Sequence, residues 1–132
     1  MTIRGYQAED KEALEQMHRK QGFAYSLPDL DDPSLWISRD VLLDGAGKPA
    51  QAILGRLTAE AYFLDSGEAS AHVRIRRFLA LHRRACERGK AAGMDSVHVW
   101  LPPEIKETFG RQLEKLGWVE YVWPTYMKAL EA

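Results

Sequence analysis

The sequence predicts an α/β domain, a central mixed β-sheet of about six or seven strands with helices on both faces. Three observations predict it. Apolar residues switch between alternation and three-and-four spacing, giving the order β-α-β-β-(β)-α-β-α-β-(β). A glycine-containing turn joins two apolar runs near the middle, the mark of a β-hairpin. Further on, a strand, a long helix and another strand follow in series, which implies a right-handed crossover between parallel neighbours.

The elements follow in order. Residues 2–6 alternate and read as a short strand. Residues 7–21 read as a helix with Ala13, Leu14 and Met17 on one face. Acids crowd its first turns and Arg19 and Lys20 its last, an arrangement that suits the helix dipole. Gly22 is a natural stop. The stretch 23–33 holds two prolines and three aspartates but also Phe23, Tyr25, Leu27 and Leu30. It reads as a packed connection with one helical turn. Residues 35–44 and 51–57 read as the two strands of a hairpin around Asp44-Gly-Ala-Gly-Lys-Pro49. A further strand is expected over 59–64, either separate after a weak break at Thr58 or continuing the preceding strand through a bulge.

A small, polar loop follows at 65–71, then a helix over 72–92. Its expected buried stripe is Ile75, Phe78, Leu79, His82, Ala85 and Cys86. Residues 96–101 read as a strand stopped by Pro102-Pro103. Residues 104–116 read as an amphipathic helix ending at Gly117. Two short strands, 118–123 and 125–130, close the chain around Pro124.

Length and composition bound the function. The 132 residues fit one domain spanning 1–132. Hydrophobic residues at 45% and charged residues at 28% suit a packed core rather than disorder. A net charge of -1 does not mark the whole chain as a binder of nucleic acid, and none is expected. The single cysteine rules out an internal disulfide. The N-terminal residues carry no apolar run of a secretory kind, and no stretch is long enough to span a bilayer. A cytoplasmic setting with no membrane partner is therefore expected. No Cys/His cluster has metal-binding spacing.

Three passages resemble the GNAT superfamily of N-acyltransferases. Ile3-Arg4 followed by Asp10, Ala13 and Leu14 is similar to the family's first strand and helix. Ala52-Ile-Leu-Gly-Arg56 is similar to the end of its hairpin. Leu113-Glu-Lys-Leu-Gly-Trp118 is similar to its helix-to-strand passage. The resemblance implies an acyl-CoA-dependent transfer, with acetyl-CoA as co-substrate and a primary amine or peptide amine as acceptor. It implies that strands 59–64 and 96–101 splay apart. The pantetheine arm then pairs with backbone at Leu64 and Asp65. The diphosphate sits at the start of the next helix, near Ser70, Arg74, Arg76 and Arg77. Two features depart from the family. The loop 65–77 has one glycine, Gly67, in place of the Gln/Arg-x-x-Gly-x-Gly/Ala spacing. Leu113 stands where a general-acid tyrosine often does.

Several residue types fit this chemistry, each with a plainer alternative. Glu60 lies in an apolar strand, where a carboxylate has a raised pKa and can accept a proton from an amine. Alternatively it faces outward, or pairs with Arg56. His72 and His98 are bases of the right pKa class or structural residues. Tyr126 can replace the missing acid or simply pack. The arginines of the long helix bind ligand phosphates or form a solvated face. Asp29, Asp31 and Asp32 attract a cationic amine or cap a helical turn. Cys86 is expected in the core. Two other readings stay open: a GNAT-like binding or assembly protein without catalysis, and a small helper domain whose Trp and Tyr surface pairs with itself as a homodimer or with another chain.

Overall fold

In the computed structural model, residues 1–130 are described, and the chain divides into two compact units, 1–99 and 100–132. The first begins with strand β1 (Thr2–Gly5) and a helical turn at Ala8–Asp10. Helix α1 (Lys11–Gln21) follows, and Gly22 ends it at φ +74°, the left-handed conformation that glycine alone adopts at little cost. Strands β2 (Trp36–Leu43) and β3 (Pro49–Arg56) form the expected hairpin. Its turn is fastened by the Asp44 carboxylate, which accepts from the Ala46 and Lys48 amides at 2.8 and 3.0 Å. These strands make an antiparallel sheet in the order β1-β2-β3.

Strand β2 contains a β-bulge. Trp36 pairs with Arg56 but Ser38 pairs with Gly55, so Ile37 is the extra residue. The bulge resets the side-chain alternation and lets Trp36 and Val41 both face the core. Val41 is 0% exposed. Around it pack Leu14 of α1, Leu30 and Leu35 of the connection, and Trp36, with Tyr6, Met17, Leu43 and Leu54 at the margin.

The connection 23–33 is fastened mainly by polar contacts: of the apolar residues expected to pack, Leu30 is buried but Phe23 and Tyr25 are exposed. The Trp36 indole donates to the Asp29 carbonyl at 2.9 Å, and Arg39 donates to the Leu30 carbonyl at 2.6 Å. Asp31 accepts from the Tyr6 hydroxyl at 2.8 Å and from Lys11 at 2.9 Å. Burial first, and the Asp31 hydrogen bond next, push the Tyr6 hydroxyl up to about 12. The Arg39 guanidinium lies 5.1 Å from the Tyr6 ring centre.

The rest departs from expectation. The central sheet of six or seven strands does not form: the described residues hold three antiparallel strands and a separate parallel pair. Strand β4 is only Ala59–Glu60 and β5 only Val97–His98. The Leu57 amide donates to the Leu35 carbonyl at 2.8 Å, which carries the chain along β2 rather than joining β4 to β3. Helix α2 (Ala71–Ala91) forms nearly as predicted, but it buries no residue. Ile75 and Leu79 are exposed, Phe78 and His82 are half-buried, and Cys86 is exposed rather than in the core.

In the second unit, the helix expected over 104–116 breaks into three pieces. A helical turn at Pro103–Ile105 leads to a π-helical turn at Lys106–Gly110 and then to α3 (Arg111–Lys115). Gly117 at φ +92° ends it, and the Trp118 amide reaches back to the Leu113 carbonyl at 3.1 Å. The two closing strands are absent from the described residues; an apolar run becomes a strand only where another takes its backbone hydrogen bonds.

One buried charge organises the first unit. Asp10 is 3% exposed. It accepts from both Arg4 terminal nitrogens, at 2.7 and 2.9 Å, and from the Gln7 amide at 2.8 Å. The Arg4 hydrogen bonds first, and the Gln7 amide next, hold its carboxyl below the ordinary value against the opposing effect of burial. Asp10 thus ionises more readily folded than unfolded. Its stabilisation is complete above the ordinary carboxylate range and is lost as pH falls through the folded value. Asp10→Ala is expected to cost about 3 kcal/mol and to flatten the acid limb of stability in denaturant titrations across pH. Leu30→Ala, at the core, is expected to cost a similar amount, about 3 kcal/mol by chemical denaturation.

Candidate functional site

The parallel pair, the loop after it and the start of α2 bring together most of the predicted site residues. Ala59 pairs with Val97 and Glu60 with His98. One more bond, from the Ala61 amide to the His98 carbonyl at 2.8 Å, closes the ladder. The chain from 61 to 70 is then irregular. It returns as α2, where Phe63 stands edge-on to Phe78 with ring centres 5.0 Å apart.

Glu60 is exposed rather than set among apolar groups. Its carboxylate accepts from the Tyr62 hydroxyl, and that hydrogen bond is the first cause raising the Tyr62 pKa. Tyr62 is therefore a neighbour that the sequence reading missed; the i, i+2 spacing from Glu60 was the available signal. The expected alternative, an Arg56–Glu60 pair, does not form. Arg56 instead pairs with Asp95 and reaches the Ser96 hydroxyl at 3.5 Å. The same hydroxyl lies 3.4 Å from His98 Nε2, which sets His98 within a polar cluster on the first unit.

At the start of α2, Ser70 caps the helix by accepting from the Val73 amide at 3.4 Å. The first-turn amides of Ala71 and His72 have no acceptor within the helix. Asp65 occupies this region too. It accepts from the Gly67 amide at 2.9 Å and from Arg74 Nε at 2.6 Å. The Gly67 amide first, and Arg74 second, hold the Asp65 carboxyl below its ordinary value. Arg74, expected to meet a diphosphate, is thus engaged by an internal carboxylate. Arg76 and Arg77 are exposed one turn into the helix, and Leu64 is exposed in the loop.

Tyr126 belongs to the second unit and is 94% exposed, so it does not pack. His72 is exposed at the second residue of α2. The aspartates of the connection serve the fold: Asp31 holds Tyr6 and Lys11, and Asp32 caps the turn at Pro33–Leu35 through the Ser34 amide at 3.0 Å. Among the described residues, no group of three or more His, Cys, Asp and Glu side chains is placed to hold a metal ion. No helix of the described residues is long and apolar enough to cross a membrane. No protein family, curated protein or solved structure matches the chain.

Asp65→Asn tests the organisation of this loop. Losing the charge weakens the hold on the Gly67 amide and Arg74, so hydrogen exchange at Gly67 is expected to quicken several-fold. Global stability should change little, because the ion pair is largely solvated.

Proposed function

We propose that the chain is an acyl-CoA-dependent N-acyltransferase that moves an acetyl group from acetyl-CoA to a primary amine. The observation that carries this reading is the short β4–β5 ladder. It stops at Ala61 and leads, through Tyr62, Phe63, Leu64 and then small and polar residues, into a capped basic helix. Backbone at Leu64 and Asp65 offers hydrogen-bonding groups to a pantetheine amide. The first turn of α2, with Arg76 and Arg77, offers amides and charge to the phosphates.

Glu60 takes a proton from the acceptor's ammonium group, directly or through one water. The neutral amine then attacks the thioester carbonyl carbon. The carbon–sulfur bond breaks, and the departing thiolate takes the second proton from nitrogen. The products are an amide and free CoA. Tyr62 steadies the Glu60 carboxylate through its hydroxyl.

One observation favours a second reading, a ligand-binding or assembly protein without catalysis. Asp65 places negative charge against Arg74 and the Gly67 amide, where a diphosphate would compete for the same donors.

Titration calorimetry with acetyl-CoA separates the two. The transferase reading expects saturable binding that Arg76→Glu/Arg77→Glu abolishes. It also expects turnover on an amine panel that falls by about a hundredfold in Glu60→Gln with binding retained. Binding only in Asp65→Asn, without turnover, supports the second reading. No binding by either protein at millimolar ligand overturns the transferase.

A further inference from the structure

Helix α2 carries more charge than one nucleotide can use. Between Ala71 and Ala91 it presents Arg74, Arg76, Arg77, Arg83, Arg84, Arg88 and Lys90 against the single acid Glu87. Elsewhere acids outnumber bases, since the whole chain has a net charge of -1. The helix has 21 residues and is about 30 Å long. A diphosphate at its first turn leaves Arg83, Arg84, Arg88 and Lys90 several turns away.

Apolar side chains interrupt this basic surface. At 100° per residue, Ile75 and Leu79 lie on one flank of the helix beside Arg76, Arg83 and Lys90. Leu81 lies on the opposite flank among Arg74, Arg77, Arg84 and Arg88. Ile75 is 50% exposed, Leu79 43% and Leu81 56%. Phe78, by contrast, turns to Phe63. Tyr62 and Leu64 add exposed apolar surface in the loop just before the helix.

We propose that the flank of α2 bearing Ile75, Leu79, Arg76, Arg83 and Lys90 is a docking surface for an anionic lipid bilayer. Charge complementarity brings this flank to the headgroups, and Ile75 and Leu79 then leave water for the acyl-chain boundary. A nucleic-acid backbone matches the charge equally well but offers no apolar partner to Ile75 and Leu79. This inference does not rest on the transferase reading, because the residues its test changes, Leu79, Arg83 and Lys90, lie beyond the proposed diphosphate seat.

The test is co-sedimentation of the full chain with vesicles of phosphatidylcholine alone and of phosphatidylcholine with about one third phosphatidylserine. Binding to the anionic vesicles only, weakening with salt, is expected. Arg83→Gln/Lys90→Gln should weaken it about 30-fold, at about 1 kcal/mol per charge. Leu79→Gln should weaken it about tenfold with charge intact. Arg84→Gln/Arg88→Gln, on the opposite flank, should weaken it less, and circular dichroism verifies that each variant stays folded. Absence of binding, or binding insensitive to Arg83→Gln/Lys90→Gln, overturns the proposal. So does a Leu79→Gln variant that binds as tightly as the parent. Tighter binding to duplex DNA than to anionic vesicles overturns it in favour of nucleic acid.

Discussion

The bond between Asp10 and Arg4 sets the rest of the first unit in place. A carboxylate this deeply enclosed is tolerable only with its oxygens fully engaged, and here three donors reach it. Two come from a strand residue and one from the backbone at the start of the helical turn. The charge thus fixes where β1 ends and at what angle α1 begins. Leu14, one turn further along, then falls on Val41, and the connection can close over both with Leu30. Apolar burial supplies most of the stability, but the polar contact decides which apolar groups meet.

A contrast in packing separates this cluster from the part of the chain that bears the candidate chemistry. The three-stranded sheet has its own core. The β4–β5 strands pair over two residues each, and α2 buries no residue. Segments with few buried contacts open at low free energy. A ligand that needs the loop 61–70 to rearrange around it would therefore meet little resistance there. The internal pair of Asp65 with Arg74 is one arrangement that such a loop can exchange for another.

Much of the local structure was legible in the sequence, and the reasons are local. The hairpin announced itself because Asp44 and the glycines after it admit a tight turn. Helix α1 announced itself through Leu14 and Met17 at helical spacing and through Gly22. Helix α2 was legible to within a residue at each end, since Ser70 and the spacing beyond it mark a start. The assembly of strands was not legible. Whether Ala59 to Leu64 pairs along its length depends on which backbone groups lie alongside, and the Leu57 amide was already committed to Leu35. The same holds for 118–130, whose side chains suit a strand but whose backbone has no strand beside it among the described residues. At the candidate site, residue types pointed to Glu60 and the arginines. Nothing local showed that Tyr62 would engage Glu60, or that Asp65 would reach across nine residues to Arg74.

The extra residue at Ile37 has a consequence for how the sheet tolerates changes in length. Inside and outside alternate along β2, and Ile37 shifts that phase; a second register shift, between Leu42 and Leu43, leaves its extra residue on β3 beside the turn. Remove Ile37, and either Trp36 or Val41 turns to water while a neighbour turns inward. A residue gained or lost at the 44–48 tip alters only a solvated loop. In this fold, then, the position of an insertion matters more than its identity: the hairpin's far end is elastic, and its near end keeps count.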